Sequence, residues 1–191
     1  MTTDNAKNQL YELLKSLGCA EACATFKATG SPAPGLHRAT VEVIFPNGTK
    51  VSGAGHGQRV IQAEIAAAQA ALEQVRQHHA ALFVDWDEIK AEAQAGDALI
   101  KLGVYLDAGL TCASMKSERL QSLESDAHLA QVFDVWKSQG DLDLAMWGPG
   151  LGLKSKATLV EALLWKRFRA KVLSADAEEH FQLLLQTLAQ Q

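Results

Sequence analysis

The sequence has few of the residues on which small secreted domains and zinc domains depend. Its three cysteines, Cys19, Cys23 and Cys112, are an odd number and form no Cys-x-x-Cys motif, which argues against a disulfide framework and against a zinc site. No apolar run is long enough to cross a bilayer, and the first ten residues lack the apolar core of a signal peptide. We therefore expect a soluble, cytoplasmic protein that does not enter a membrane.

Positive charge is also scarce. The 191 residues include 18 lysines and arginines against 22 aspartates and glutamates, which gives a formal net charge of −4. This balance argues against a protein that coats nucleic acid through charge alone. The deficit lies in one half, because residues 1–76 contain 7 basic and 6 acidic side chains (+1), whereas residues 77–191 contain 11 and 16 (−5). The acidic half is long enough to form a domain of its own.

The N-terminal part of the chain has the pattern of a helix, three strands and a second helix. Leucines at helical spacing define one face of the first helix, and Gly18 can end it. Residues 24–30 and 38–45 have the composition of strands, and the turn Pro46–Gly48 leads into a third strand. Residues 58–75 follow as a long helix. Its apolar face is expected to contain Ile61, Ile65, Ala68, Leu72 and Val75.

Glycines and alanines give this region a family resemblance. Gly55, His56 and Gly57 are followed by Ala63, Ala67, Ala68, Ala71 and Leu72. This arrangement resembles the double-stranded RNA-binding domain, in which small residues let the last helix lie close to the sheet. Gly35, Leu36 and His37 partly match the loop with which that family enters a minor groove. The resemblance implies an α-β-β-β-α domain over residues 1–77, with His37, His56 and Arg59 as RNA-binding residues.

The first turn of the last helix departs from that family. The family holds phosphates there with lysines, and the corresponding residues in this chain are Val60, Ile61 and Glu64. Arg59 and Arg76 are the basic side chains that we expect nearby. Each lost phosphate contact weakens duplex binding and flattens its salt dependence. Two interpretations stay open: a domain that binds RNA weakly, or a protein-binding module whose histidines are ordinary exposed loop residues.

The second half, residues 78–191, is predicted to be an all-helical domain. The expected helices are 87–106, 117–124, 127–138, 155–172 and 175–189. Residues 76–87 are the expected junction between the halves, and residues 146–156 are a glycine-rich loop between two helices.

Three short motifs in this half resemble ribonuclease III. They are Gly96-Asp97-Ala98-Leu99, the stretch with Leu123, Ser125, Leu129 and Ala130, and Glu161-Ala162-Leu163 after the glycine-rich loop. The order and separation of the motifs fit that family. The resemblance implies that Asp97 and Glu161 are catalytic carboxylates and ligands of magnesium, which activates water and stabilises charge on the attacked phosphate.

Two other acids of that family are replaced in this chain. The acid expected four residues before Asp97 is Ala93, and the acid expected three residues before Glu161 is Thr158. A further expected acid is Lys90. Because Glu92 is five residues from Asp97, it lies roughly 140° round the helix and is a poor substitute. We therefore expect two-metal cleavage to be lost and no cofactor to be needed, with Mg²⁺ required only if activity remains. Asp97 and Glu161 are then vestigial, and Lys101, Lys154, Lys156 or a backbone amide can satisfy them.

The sequence thus predicts the α+β class, with a double-stranded RNA-binding-like domain followed by a ribonuclease III-like helical domain, which reverses the usual order. The expected function is that of a catalytically degenerate RNA-processing protein that binds structured or double-stranded RNA weakly or acts as a scaffold. Two alternatives remain, an active magnesium-dependent endoribonuclease and a protein-interaction module without an RNA role. Expected partners are RNA and either a second copy, bound through the helical domain, or an RNA-processing protein.

Overall fold

The computed structural model describes residues 5–30, 35–172 and 177–189. The chain divides into two compact units, Met1–Val84 with Ala145–Leu151, and Asp85–Leu144 with Gly152–Gln191. The described residues form one three-stranded antiparallel sheet and seven α-helices, so the predicted α+β class is confirmed. No helix in the described part of the chain is long and apolar enough to cross a membrane.

The first unit contains the sheet and two helices. The elements are α1 (Ala6–Ser16), β1 (Ala24–Gly30), β2 (His37–Ile44), β3 (Lys50–Gly57) and α2 (Val60–His78). Their order agrees with the predicted α-β-β-β-α pattern. Strand β2 is central and pairs antiparallel with both neighbours. The predicted loop before His37 lies partly outside the described residues.

The caps of helix α1 explain where it begins and ends, and its leucines explain which face is buried. The Asn5 side chain accepts a hydrogen bond from the Asn8 amide and caps the N-terminus. Gly18, with φ of 69°, takes the left-handed conformation after the helix, which a glycine adopts without strain. The predicted apolar face is buried at Leu10, Leu13, Leu14 and Leu17.

Helix α2 lies directly on β3 because both surfaces are made of small residues. A Cβ atom on Gly53 or Gly55 would overlap the backbone of Ala67, and one on Gly57 would come within 2.8 Å of the Ala63 nitrogen. Alanines fill the facing side of the helix and are fully buried. This close packing fixes where the first turn of α2 stands relative to the end of the sheet.

The prediction for the apolar face of α2 is wrong at one residue. Ile61 is 49% exposed, whereas Ala68, Leu72 and Val75, which share its helical face, are buried. The reason is that the first turn of α2 stands at the end of the sheet, just after Gly57, where no neighbouring element of the described structure covers it. Helical periodicity predicts a face but not how far along the helix that face is covered.

Residues 145–151 pack in the first unit although they come late in the chain. The Gly148 amide donates to the Leu17 carbonyl at 2.6 Å, and the Gly150 amide donates to the Gly18 carbonyl at 2.8 Å. A Cβ atom on Gly148 would overlap the Gly18 carbonyl, so this contact requires glycine. The linear order of the motifs does not indicate this contribution.

The described residues of the second unit form helices and short helical turns. Its helices are α3 (Trp86–Leu106), α4 (Ala113–Leu123), α5 (Asp126–Ser138), α6 (Leu153–Val172) and α7 (Ala177–Ala189). The observed ends lie within about two residues of the predicted ones, except that α4 begins four residues earlier and that residues 175 and 176 lie outside the described part. Asp85 caps α3 by accepting from the Asp87 and Glu88 amides, and Ser125 caps α5 by accepting from the His128 amide.

Candidate functional site

Asp97 and Glu161 line one pocket of the helical unit. The pocket is open to solvent and has a volume of about 290 Å³. Its lining residues are Lys90, Ala93, Gln94, Asp97, Thr158 and Glu161. Five of these six are the positions that the resemblance to ribonuclease III selects, two with carboxylates and three without, and they are therefore neighbours in space.

A close crossing of α3 and α6 produces this arrangement. A Cβ atom on Gly96 would overlap the carbonyl of Glu161, so only glycine permits the two backbones to approach here. Asp97 follows this contact residue on α3, and Glu161 is the contact residue on α6. The carboxylates therefore converge because of the helix packing and not because of a loop.

Asp97 is already engaged by a lysine. Lys101 Nζ donates to Asp97 Oδ2 at 2.6 Å and lies 3.8 Å from Glu124 Oε1. The Asp97 side chain is 34% exposed, so it is half-buried rather than buried. The hydrogen bond to Asp97 is the main cause of a raised pKa at Lys101, with the charges of Glu124 and Glu161 adding to it. Of the partners expected for the carboxylates, Lys101 is the one that binds, whereas Lys156 pairs with Asp134 at 2.8 Å.

Glu161 is the most perturbed carboxyl of the described residues. Its pKa is raised from 4.5 to about 7, mainly by burial and then by the negative charges of Asp97 and Asp126, against a smaller lowering by Lys101. Near neutral pH this carboxyl is therefore a mixture of the protonated and ionised forms. It can hold or release a proton, but it is a weak ligand for a cation while it is protonated.

Sequence reasoning missed Glu124. Its Oε1 atom is buried and has no hydrogen-bond partner among the described residues, although Lys101 lies nearby. Burial is also the main cause of its raised pKa. Glu124 lies within the stretch that resembles the second ribonuclease III motif, directly before the helix cap Ser125. Its place in that stretch could have marked it as a candidate.

The donors in this pocket do not fit a magnesium pair. Ala93 supplies no ligand, Thr158 supplies one hydroxyl, and the Asp97 carboxylate is bound to Lys101. Magnesium requires near-octahedral oxygen ligands. In residues 5–30, 35–172 and 177–189, no group of three or more histidine, cysteine, aspartate or glutamate side chains is placed to hold a metal ion.

The other acidic and basic residues near this part of α3 have separate partners. Glu92 lies 3.0 Å from Lys166 Nζ and is not among the residues that line the pocket. Lys90 lines the pocket, but its Nζ lies 3.0 Å from Asp87. Glu92 therefore does not replace the acid that the resemblance expects at Ala93.

In the first unit, the strand register gathers the three predicted RNA-binding residues at one end of the sheet. His37 pairs with Gly57, Arg38 pairs with His56, and Arg59 caps α2 two residues beyond β3. The alternation of the strands places His37 on the side of α2, with the buried Ala39 and Val41. His56 instead shares the open face with Arg38, which sequence reasoning did not select.

The charge near the first turn of α2 differs from the expectation in two respects. Glu64, which stands where the family has a base, accepts from Lys7 Nζ at 2.7 Å, so its charge is compensated by α1. Arg76 is not near the first turn, which corrects the prediction. It lies in the last turn of α2, about 25 Å from Arg59 at roughly 1.5 Å per residue. Arg59 is therefore the basic residue that opens this helix.

Comparison of the chain with known protein families, with curated proteins and with solved structures returned no match.

Proposed function

We propose that this chain is a duplex-RNA-handling protein whose helical unit is a ribonuclease III-like domain without a working two-metal centre. The observation that carries this proposal is the single pocket shared by Ala93, Asp97, Thr158 and Glu161. These positions were selected from separate sequence motifs. Their convergence is what a nuclease centre that has kept only Asp97 and Glu161 of its carboxylates would leave.

The first unit supports weak binding of duplex RNA. His37 and Arg59 stand on the α2 side of the sheet, at the end where α2 begins. In the first turn of α2, exposed Val60 and Ile61 replace lysines that would bind phosphates. Because duplex RNA is recognised largely through its shape, its 2′-hydroxyls and its phosphates, we propose binding with low affinity and a shallow salt dependence.

The helical unit is proposed to pair with a second copy through α3 and α4. Four apolar side chains on these helices are more than 40% exposed: Leu102, Tyr105, Leu106 and Met115. Leu102, Tyr105 and Leu106 are spaced i, i+3 and i+4 and so share one face of α3, and an exposed apolar face favours a protein contact. Sedimentation of the wild type and of Leu102→Glu tests this part, since the substitution places a charge in the group. A wild type that remains monomeric at high concentration contradicts it.

A protein-interaction module is the second candidate function. It is favoured by the exposure of Val60 (40%) and Ile61 (49%) at the end of the sheet where the family has lysines. Such a module would not bind duplex RNA even at low salt, which separates the two candidates.

The test is a duplex-binding and cleavage assay on one sample. Binding to a labelled RNA duplex is measured at several salt concentrations, and cleavage is measured with Mg²⁺ and with Mn²⁺. We expect binding without cleavage. Arg59→Ala should weaken binding and reduce the salt slope by about 1. Lys50→Ala is the matched control, because Lys50 is exposed at the opposite end of β3.

Two results would overturn the proposal. Cleavage that Asp97→Asn abolishes would establish an active endoribonuclease. The absence of duplex binding at low salt would favour the protein-interaction module.

A further inference from the structure

Lys101 lies between acids from two helices of the helical unit. On α3 it is one turn after Asp97, and its Nζ donates to Asp97 Oδ2 at 2.6 Å. The same Nζ reaches Glu124, which caps the C-terminus of α4, at 3.8 Å. The ammonium therefore bridges carboxylates from two different helices, and one of them, Glu124 Oε1, is buried without a hydrogen-bond partner in the described part of the chain.

The acids around Lys101 outnumber it. Asp97, Glu124 and Asp126 all act on Glu161 with their negative charge, and Lys101 is the positive charge that acts in the opposite sense. Like charges held close together in a partly buried site destabilise one another unless a cation lies among them. A nuclease centre meets this need with divalent cations.

We propose that the Lys101 ammonium is the built-in counter-ion of this acidic cluster and replaces a divalent cation there. The ammonium occupies Asp97 Oδ2, one of the two oxygens through which this carboxylate could bind a metal. A divalent cation bound to the same carboxylate would lie within a few ångströms of a positive charge and would be repelled by it. The cluster is thus held together without a metal ion, and metal ions are excluded from it.

This inference depends on the proposed function only in the choice of the nuclease divalent cations as probes. It concerns the charge of one pocket and requires no RNA. A chain that failed to bind duplex RNA would leave it standing, and a chain that bound RNA could still contradict it.

The experiment is calorimetric titration with MnCl₂ and with MgCl₂ of the wild type, Lys101→Met and Lys90→Met. Methionine keeps the length of the unbranched lysine stem and removes the ammonium group. Lys90 is the matched control because it lines the same pocket, while its Nζ pairs with Asp87 away from the cluster. We expect the Lys101 variant to bind Mn²⁺ at least about tenfold more tightly than the wild type, and the Lys90 variant to resemble the wild type. Lys101→Arg, which keeps the charge, should also resemble the wild type.

A second measurement uses the wild type alone, so it decides the question even if Lys101→Met does not fold. A Mn²⁺ ion bound to the protein broadens the amide signals of the residues near it. We expect no selective broadening at Asp97, Glu124 and Glu161. Selective broadening at these residues, or a Lys101→Met variant that gains no affinity, overturns the proposal.

Discussion

Two helix interfaces in this chain rely on the same packing device in different electrostatic surroundings. In the sheet unit, α2 approaches β3 through Gly53 and Gly55, and the facing side of the helix is alanine. In the helical unit, α3 approaches α6 through Gly96, and the next residue on α3 is the charged Asp97. The comparison teaches that close backbone contact can serve a dry, uncharged core or can bring ionisable groups together. We expect the second interface to respond to pH and to charge, and the first to respond to volume alone.

The largest expected effect comes from adding a methyl group at either interface. Gly55→Ala places a Cβ atom against the α2 backbone, and Gly96→Ala places one against the Glu161 carbonyl. Since backbone cannot move aside as a side-chain end can, each change should lower the free energy of unfolding by about 3 kcal/mol. Urea denaturation measures it. In the described structure nothing lies within 4 Å of a Cβ atom at Gly152, so Gly152→Ala is the control and should be nearly neutral.

The pH dependence of stability should distinguish the two interfaces. The pKa of Glu161 is about 7 in the folded protein, against an ordinary value of 4.5 for a solvated glutamate, so the folded protein binds the proton more tightly than the unfolded chain. The resulting stability is fully present below about pH 4.5 and is lost as pH rises through about 7. Glu161→Gln should therefore be more stable than the wild type at pH 8, by about 1–2 kcal/mol after allowance for solvent screening, and equal to it at pH 4.

Denaturation curves between pH 4 and pH 8 test that expectation. Glu118→Gln provides the matched control, because it makes the same substitution at an exposed position on α4. A wild-type stability that rises between pH 5 and pH 8 in parallel with Glu161→Gln would contradict the assignment.

A smaller effect is expected from restoring charge at the end of the sheet. Ile61→Lys places a base in the first turn of α2, where the resemblance expects one. One added phosphate contact should raise duplex affinity several-fold at low salt and steepen the salt slope by about 1. Ile44→Lys is closely matched, because Ile44 is 44% exposed and Ile61 is 49% exposed. Equal gains from both variants would mean that added charge, and not this surface, governs RNA binding.

The smallest change in stability is expected from breaking the ion pair between Lys7 on α1 and Glu64 on α2. Glu64→Gln removes the 2.7 Å contact between Glu64 and Lys7, whose side chains are 18% and 23% exposed respectively. Partly buried pairs of this kind contribute about 0.5–1 kcal/mol. Glu73→Gln, which breaks a 3.8 Å pair between side chains about half exposed, should cost less. Urea denaturation at low salt compares the two variants.

Local patterns accounted for most of the elements. Strand β1 was predicted over its observed residues 24–30, and α3 and α6 were predicted to within two residues at each end. These segments are strongly periodic and begin or end at residues with clear conformational preferences. Ile61 was misplaced because periodicity says nothing about the length of the covered surface. The role of residues 145–151 in the first unit was missed because it depends on contacts between glycines more than 120 positions apart along the chain.

Some residues of the candidate site were likewise predicted from the sequence, and others were not. The motifs selected Asp97 and Glu161, and the spacing of α3 allowed Lys101 as a partner of Asp97. Glu124 was not selected, because its approach to Lys101 depends on how α4 is placed against α3. His37 and His56 lie on opposite faces of the sheet because of the register between β2 and β3. The pattern of residues within each strand does not specify this register.

By itself, the order of residues determined the class of the fold and the α-β-β-β-α succession, since both depend on composition and on short-range periodicity. It also placed Ala93 and Thr158 at positions where the resemblance expects acids. Only the tertiary structure decided that Asp97 and Glu161 share a pocket and that Lys101 bridges Asp97 and Glu124. The physical reason is that electrostatic partners are chosen by distances of a few ångströms. Such distances between separate helices are set by backbone contacts such as that of Gly96 with Glu161.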